Sequence, residues 1–137
     1  MVYSENKHKP VYSSYYLQDF SVCFFVRNHA LFSTDDNALK LLIYYDDLNI
    51  ANPVTKKIHP VGLFYYQLVN IDSVFRGKLK SIHLFGICKK QYITNGLNEI
   101  LKPLVEDLKE LGSETGYPYN IAGGTVYLQG EILAVIA

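Results

Sequence analysis

The stretch ALKLLIYYDD, residues 38 to 47, is the feature of this 137-residue chain that best predicts its fold. Its apolar residues follow one another almost without a break. A strand that is apolar on both faces is normally central in its sheet and covered above and below. Two acidic residues, Asp46 and Asp47, follow the apolar run directly. We therefore predict a central strand over residues 38–45 with an acidic pair at its end.

Two further runs downstream are rich in β-branched and aromatic residues. Residues 61–69 and 81–88 have the composition of a second and a third strand. A polar loop over residues 49–60 and a turn over residues 70–73 separate the three strands. Because these connections are short, the three strands are predicted to be antiparallel neighbours.

A helical pattern follows the third strand. From Leu97 to Leu111, apolar residues recur at the three- and four-residue spacing of an amphipathic helix. Gly112 is placed to end this helix. Pro103 lies inside the pattern, and it predicts either a kink or the first turn of the helix.

The last part of the chain predicts a hairpin and a fourth strand. The turn signal at residues 122–124 places a small hairpin or extension over residues 119–128, and residues 132–137 are another apolar run. Because a helix precedes this run, it is predicted to cross over and pair in parallel with an earlier strand. The predicted fold class is thus α/β, with a mixed sheet of three antiparallel strands, then a helix and a parallel strand.

The pattern divides the chain into a lead-in and one domain. Residues 1–19 are polar and Tyr-rich and predict an extended lead-in, whereas residues 20–137 carry the domain. Residues 20–26 match either a strand or a short buried helix, and residues 33–37 form a turn and capping cluster. The sequence ends within an apolar run, whereas domain boundaries fall in polar segments. We therefore expect a domain that is cut short at its fourth core strand.

The composition argues against several classes of protein. With 49% hydrophobic and 14% aromatic residues, the chain is expected to be globular rather than disordered. Cys23 and Cys88 have no histidine at zinc-site spacing, which argues against a zinc site and a disulfide framework. The N-terminus lacks a signal-peptide pattern, and the apolar runs are too short to span a bilayer. A soluble, intracellular protein without a membrane partner is expected.

The basic residues are unevenly placed, although the formal net charge is zero. Between residues 76 and 90 there are five basic residues and no acidic one: Arg76, Lys78, Lys80, Lys89 and Lys90. Such a stretch is compatible with contacts to the phosphates of DNA. The alternative is a solvated strand edge whose lysines block edge-to-edge pairing.

The acidic pair has the chemistry of a metal site. Two or three carboxylates that converge at a sheet edge bind Mg²⁺ or Mn²⁺, and two such ions promote phosphoryl transfer. Adjacent strand residues point to opposite faces, so only one of Asp46 and Asp47 is expected to be an inner ligand. The alternative is a turn or helix-capping pair that ends a core strand.

The four residues from Tyr44 to Asp47 also satisfy the Tyr-x-Asp-Asp pattern of reverse transcriptase palms. A palm needs a further catalytic Asp upstream, on a strand that is followed by a helix. The acidic residues that precede Tyr44 are Glu5, Asp19, Asp35 and Asp36, and none follows a convincing buried strand. The polymerase hypothesis therefore rests on the four residues alone.

Several ordered blocks of the sequence resemble transposon-derived proteins of animal genomes. The blocks lie at residues 31–33, 37–39, 43–47, 52–53, 59–66, 79–84, 101–108 and 130–134. Before the apolar stretch of the fifth block the family usually has Lys-His-Lys, whereas this chain has His59-Pro60. The resemblance covers residues 20 to 137.

The resemblance implies an RNase H-like core of the DDE/DDD transposase class. Asp46 matches the first metal-binding Asp of that family, with Asp47 as the alternative. The run that ends at Ala137 matches the fourth core strand, after which relatives continue with a second Asp and, on a later helix, a third acid. The resemblance therefore implies Mg²⁺ or Mn²⁺ for the intact protein only, and no nuclease or strand-transfer activity for this chain alone.

DNA is the partner that the resemblance implies, and the nucleus is the location of a form that acts on DNA. A different class of function stays open, namely a domesticated or decayed copy without catalytic activity that binds DNA or protein. The sequence does not indicate an oligomeric state.

Overall fold

The structure, a computed structural model, describes residue 20, residues 23–51 and residues 58–137. The described chain is an α/β fold with one mixed sheet of four strands and a separate two-stranded hairpin. The elements in chain order are α1 (Phe24–Asn28), β1 (Leu39–Ala51), β2 (Ile58–Leu68), α2 (Ser73–Arg76), a 3-10 helix (Leu79–Ser81), β3 (His83–Lys89), α3 (Lys90–Leu111), β4 (Tyr117–Ile121), β5 (Gly124–Leu128) and β6 (Gly130–Ile136).

The main sheet has the strand order β3-β2-β1-β6. The pairs β1–β2 and β2–β3 are antiparallel. The pair β1–β6 is parallel, and its register runs from Leu39 opposite Gly130 to Tyr44 opposite Ile136. The predicted fold class, with three antiparallel strands followed by a helix and a parallel strand, is confirmed at this level.

Strand β1 is longer than predicted. The expected end at Tyr45 is wrong, because β1 stays paired with β2 as far as Ala51 opposite Ile58. Burial ends near Ile43 while the strand continues, so the apolar run marks the buried half of β1 and not its whole length. The loop predicted over residues 49–60 is therefore partly strand, and its residues 52–57 lie outside the described ranges.

The core lies on both faces of β1. On one face, Leu41 and Ile43 pack with the α3 residues Leu108 and Leu111. On the other face, Lys40 lies with its ammonium 5.3 Å from the ring centroid of Phe32, and Phe32 belongs to a second apolar cluster with Val26 and Ala38. The predicted central strand, covered above and below, is what the structure contains.

Helix α3 begins before its predicted start. It extends from Lys90, whereas the apolar periodicity begins only at Leu97. The break in the helix is at Gly96 (φ −155°, ψ 36°) and not at Pro103, which lies inside the helix. The position of the kink was thus predicted at the wrong residue.

The remaining described elements are helix α1 and the β4–β5 hairpin. Residues 24–28 form helix α1 with Val26 buried, so the described residues 24–26 of the ambiguous stretch 20–26 are helical. The predicted hairpin over residues 119–128 forms as β4 and β5, and its two turn residues, Ala122 (φ 46°) and Gly123 (φ 87°), both have the left-handed backbone of a tight hairpin turn. The lead-in predicted over residues 1–19 lies outside the described ranges.

No helix within the described ranges combines the length and the apolar character that crossing a membrane requires.

The parallel pairing of β1 and β6 depends on Gly130. A Cβ at this position would lie 2.7 Å from both the Cβ and the backbone oxygen of Leu39. We expect Gly130→Ala to lower the free energy of unfolding in urea by about 1–3 kcal/mol, because backbone has to move to accept the methyl group.

The matched control is Gly86→Ala on β3, where the new Cβ would meet its nearest neighbour, a ring carbon of Phe64, at 3.5 Å. This variant should change the free energy of unfolding by less than about 1 kcal/mol. Equal destabilisation by the two substitutions would contradict the close approach of β6 to β1.

Candidate functional site

The acidic pair lies on the outer half of β1. Asp46 is opposite Leu63 and Asp47 is opposite Gly62 in the antiparallel register with β2. Because both residues are inside a strand, the alternative of a turn or helix-capping pair is wrong. Successive strand residues point to opposite faces of a sheet, so the two carboxylates are in different surroundings.

Asp47 connects the sheet to the start of α3. One carboxylate oxygen accepts a hydrogen bond from the hydroxyl of Tyr45, which lies on the same face of β1. The other carboxylate oxygen pairs with the ammonium of Lys90, the first residue of α3. The Lys90 and Tyr45 hydrogen bonds hold the pKa of Asp47 below its usual range. Asp47 is thus already engaged by a cation and a phenol.

The pKa of Tyr45 is shifted in the opposite direction, upward. Its hydrogen bond to the Asp47 carboxylate, followed by partial desolvation, raises the pKa of Tyr45 to about 12. The ring can lie across β2 because Gly62 has no side chain: a Cβ there would be 2.8 Å from Cε2 of Tyr45. Gly62, Tyr45 and Asp47 therefore form one arrangement on the α3 side of the sheet.

Asp46 projects from the other face and is exposed. By strand alternation it shares this face with Tyr44 and Leu48, and with Leu63 across the β1–β2 pair. Among the described residues, its carboxylate has no hydrogen bond or ion pair. Asp47 is exposed too, but its carboxylate is paired with Lys90 and Tyr45, so the Asp46 carboxylate is the more available of the two to a cation from solution.

A partly buried chain of hydrogen bonds lies next to Asp46 and begins at Tyr44 on the same face of β1. The hydroxyl of Tyr44 donates to Oε1 of Gln67 at 3.1 Å, and Nε2 of Gln67 donates to the backbone oxygen of Arg76 at 2.7 Å. Tyr44 also stacks on Tyr65 with ring centroids 5.1 Å apart. Burial, and then the Tyr65 hydroxyl, raise the pKa of Tyr44, while Arg76 acts against them. These contacts fix the strand next to Asp46.

The five basic residues do not form one surface. Arg76 is only 8% exposed, and its guanidinium donates to the backbone oxygen of Ile71 at 3.1 and 3.0 Å. Lys78 and Lys80 are exposed, and their ammonium groups lie 4.6 and 5.7 Å from the ring centroid of Phe75.

Lys89 and Lys90 lie at the far end of β3, which spans about 20 Å. Lys89 is exposed on this edge strand, as the edge-blocking alternative expects, whereas Lys90 pairs with Asp47. Of these five residues, the exposed lysines without an acidic partner in the described ranges are therefore Lys78 and Lys80 at one end of β3 and Lys89 at the other.

The described residues do not complete a metal site. No group of three or more His, Cys, Asp or Glu side chains that could hold a metal ion occurs within the described ranges. The parallel partner of β1 is last paired at Ile136 opposite Tyr44, so Asp46 is two positions further along. Asp46 alone offers one carboxylate, and Mg²⁺ needs several oxygen ligands.

No family model matches the chain, and neither a curated protein nor a solved structure is significantly similar to it. The likeness to transposon-derived proteins therefore rests on the sequence blocks alone.

Three features of the site are not predicted from the sequence. Tyr45 and Asp47 are two residues apart on a strand, a spacing that places them on one face and was available as a signal. The pairing of Asp47 with Lys90 joins residues that are 43 apart in the chain, and no local pattern indicates it. The sequence does not indicate the burial of Arg76 either, because Arg76 belongs to the same basic stretch as the exposed Lys78 and Lys80.

The Tyr45–Asp47 hydrogen bond is testable by titration. A difference titration of the wild-type protein against Tyr45→Phe, followed by phenolate absorbance, should give a Tyr45 pKa of about 12. Asp47→Asn should bring this value down toward 10, since the acceptor that holds the phenol proton is lost. Asp46→Asn is the matched control and should change the Tyr45 pKa less, because Asp46 makes the smallest contribution.

The raised pKa of Tyr45 makes the free energy of unfolding depend on pH. The pKa of Tyr45 is raised on folding, so its contribution is fully present below about pH 10 and is lost as the pH rises through 12. A wild-type Tyr45 pKa near 10, or one that Asp47→Asn leaves unchanged, would contradict the arrangement.

Proposed function

We propose that this chain forms the first part of an RNase H-like, DNA-processing domain of the transposase type, in which Asp46 supplies the first metal-binding carboxylate. The proposal rests on the position of Asp46 in the sheet. Asp46 is an exposed acid on the central strand β1, beyond the last paired residue of the one parallel neighbour β6.

The sheet order supports the RNase H-like assignment. Three antiparallel strands, a long helix and a fourth strand that returns beside the first are the arrangement that the family resemblance implies. In that arrangement, acids that follow the first and fourth strands meet at one end of the sheet. The register of β1 with β6 supports such a meeting point, because a carboxylate two positions after Ile136 would lie beside Asp46 if the pairing continued.

The different surroundings of the two aspartates support Asp46, rather than Asp47, as the proposed metal ligand. Asp47 is held by Lys90 and Tyr45 on the α3 face, and a metal ion there would have to displace a lysine. Asp46 is exposed on the opposite face. Asp47 is accordingly proposed to position β1 against α3, while Asp46 would be the carboxylate that holds the metal in the intact protein.

Metal chemistry is proposed only for a protein that contains further acids. The described residues offer Asp46 as a single ligand, which does not fit a two-ion site for phosphoryl transfer. This chain by itself is therefore expected to bind Mg²⁺ or Mn²⁺ weakly and to have no nuclease or strand-transfer activity.

The polymerase hypothesis receives less support. A palm requires a catalytic strand upstream of the Tyr-x-Asp-Asp residues, and the described residues before β1 contain helix α1 and turns but no strand. The non-catalytic alternative, a DNA-binding module, is supported by the exposed Lys78 and Lys80 beside Phe75.

Mn²⁺ titration tests the assignment of the two aspartates. Paramagnetic broadening of backbone amide signals should be centred on Asp46 and on Leu63, its neighbour across the β1–β2 pair. The apparent dissociation constant should be weaker than about 1 mM, since one carboxylate is a poor site.

Asp46→Asn should abolish this broadening, and the matched variant Asp47→Asn should keep it. Broadening centred on Asp47, or broadening that survives Asp46→Asn, would overturn the choice of Asp46. Micromolar binding by this chain would contradict the view that the site needs further ligands.

DNA binding is tested through its salt dependence. If Lys78 and Lys80 contact phosphates, the double variant Lys78→Ala with Lys80→Ala should reduce the slope of log K against log salt by about 2. Lys102→Ala, at an exposed position of α3, is the control and should leave the slope unchanged. Absent or salt-independent binding of duplex DNA would remove the DNA-binding part of the proposal.

A further inference from the structure

The sheet face opposite α3 is covered along only part of its length. At the start of β1, Phe32 and its apolar cluster lie against this face beside Lys40. Further along, exposed apolar side chains follow on β1 and on the edge strand β3. Leu48, Ile50, Leu84 and Ile87 are 47%, 49%, 55% and 60% exposed. Sheets in α/β domains are normally packed against a second layer, and within the described ranges this half of the face has none.

The strand register shows that these side chains form one surface. Ile87 is opposite Leu63, and Leu63 is opposite Asp46, so the three lie in one row across β3, β2 and β1. Residues directly opposite each other in an antiparallel pair point to the same side. The surface, named the outer sheet face, consists of the apolar residues Leu48, Ile50, Leu63, Leu84 and Ile87 around Asp46.

The N-terminal part of the chain joins the domain beside this face. The ring centroid of Phe20 lies 5.7 Å from the guanidinium carbon of Arg76. The backbone oxygen of Arg76 accepts a hydrogen bond from Gln67, whose side chain is bonded to the Tyr44 hydroxyl on the face of Asp46. Residues 1–19 are therefore attached at the border between the covered half and the outer sheet face.

This attachment favours residues 1–19 over any partner from solution. From Tyr44 to Ile50 the face is about 20 Å long, and seven extended residues span about 23 Å. Residues 11–17 end three positions before Phe20, so they can reach the whole face. A segment tethered so closely has an effective concentration on the order of 1 mM. Because the two surfaces already belong to one molecule, an area well below the roughly 800 Å² per partner of a standard interface is sufficient.

The composition of residues 11–17 suits the outer sheet face. The segment reads VYSSYYL, in which five of the seven residues are Val, Tyr or Leu and none is charged. Tyrosine combines an apolar ring with a polar hydroxyl, as a face that is apolar around one carboxylate requires. Lys7 and Lys9 precede the segment, and no acid lies between Glu5 and Asp19. The charge next to the segment is thus opposite in sign to that of Asp46.

We propose that residues 11–17 cover the outer sheet face of their own chain and supply the second layer for this half of the sheet. A segment in this position also lies over Asp46, so it limits the access of a cation to that carboxylate. This consequence rests on the proposed function. The docking itself does not, because it depends only on the apolar face and the tethered segment.

Nuclear Overhauser effects in the full 137-residue chain test the proposal. They should connect methyl groups of the outer sheet face with ring protons of Tyr12, Tyr15 or Tyr16. Their intensity per molecule should be the same at about 50 µM and about 500 µM, because the contact is made within one chain. Ile87→Lys places a charge on the face and should weaken the effects at its remaining methyl groups at least about twofold.

The matched control is Val135→Lys on the other edge strand, β6, at a position that is 65% exposed. Val135 is opposite Ile43, whose side chain packs with α3, so the new charge lies on the α3 side of the sheet. This variant should leave the effects unchanged.

A second measurement covers the case in which Ile87→Lys disturbs the sheet. Broadening of the outer-face methyl signals by a soluble nitroxide should rise at least about twofold in the double variant Tyr15→Ser with Tyr16→Ser, because the face regains contact with solvent. This variant leaves every residue of the described sheet unchanged, and the Val135 methyl signals should keep their broadening.

Three results would overturn the proposal. The first is the absence of effects between residues 11–17 and the outer sheet face. The second is effects that disappear on dilution, which would assign the contact to a second copy. The third is wild-type broadening as strong at Leu48 and Ile87 as at Val135.

Discussion

The pairing of β1 on both of its edges is the constraint on which the rest of the structure depends. Strand β2 lies antiparallel on one edge and β6 parallel on the other, so β1 contributes backbone hydrogen bonds on both sides. Its residues Leu41, Leu42 and Ile43 are buried, and full burial of such a side chain stabilises by about 1.5–3 kcal/mol. A parallel partner requires a crossover, and α3 is the crossover that then packs on β1 through Leu108 and Leu111.

The separation of the two aspartates follows from this constraint. Side chains along β1 alternate between the two faces of the sheet, and this alternation continues into the second half of the strand, where burial has ended. Asp47 therefore points to the side of α3 and meets Lys90, and Asp46 points away from it. The helix that makes the parallel pairing possible thus also supplies a cationic partner to Asp47 and none to Asp46.

The sequence predicted the parts of the fold that depend on apolar periodicity. The unbroken run at residues 38–45 predicted the central strand, and the helix before residues 132–137 predicted the parallel partner. The end of β1 was missed because pairing with β2 continues to Ala51 after burial has stopped. Likewise α3 starts at Lys90, in a polar turn that has no apolar periodicity to indicate it.

The site was predicted only in part, for reasons that are also physical. Alternation along a strand indicated that Asp46 and Asp47 would point to opposite faces of the sheet, and this follows whichever tertiary contacts form. The partner of Asp47 depends on where α3 begins, and the burial of Arg76 depends on its hydrogen bonds to Ile71. Both are long-range or loop contacts, which a local pattern of residue types does not encode.

The most direct test of this account is the pattern of interstrand nuclear Overhauser effects between β1 and β6. The parallel register predicts contacts between backbone protons near Leu39 and Gly130 at one end, and near Tyr44 and Ile136 at the other. Contacts in the reverse order, with Leu39 close to Ile136, or the absence of contacts between the two strands, would contradict the parallel pairing and with it the proposed place of Asp46.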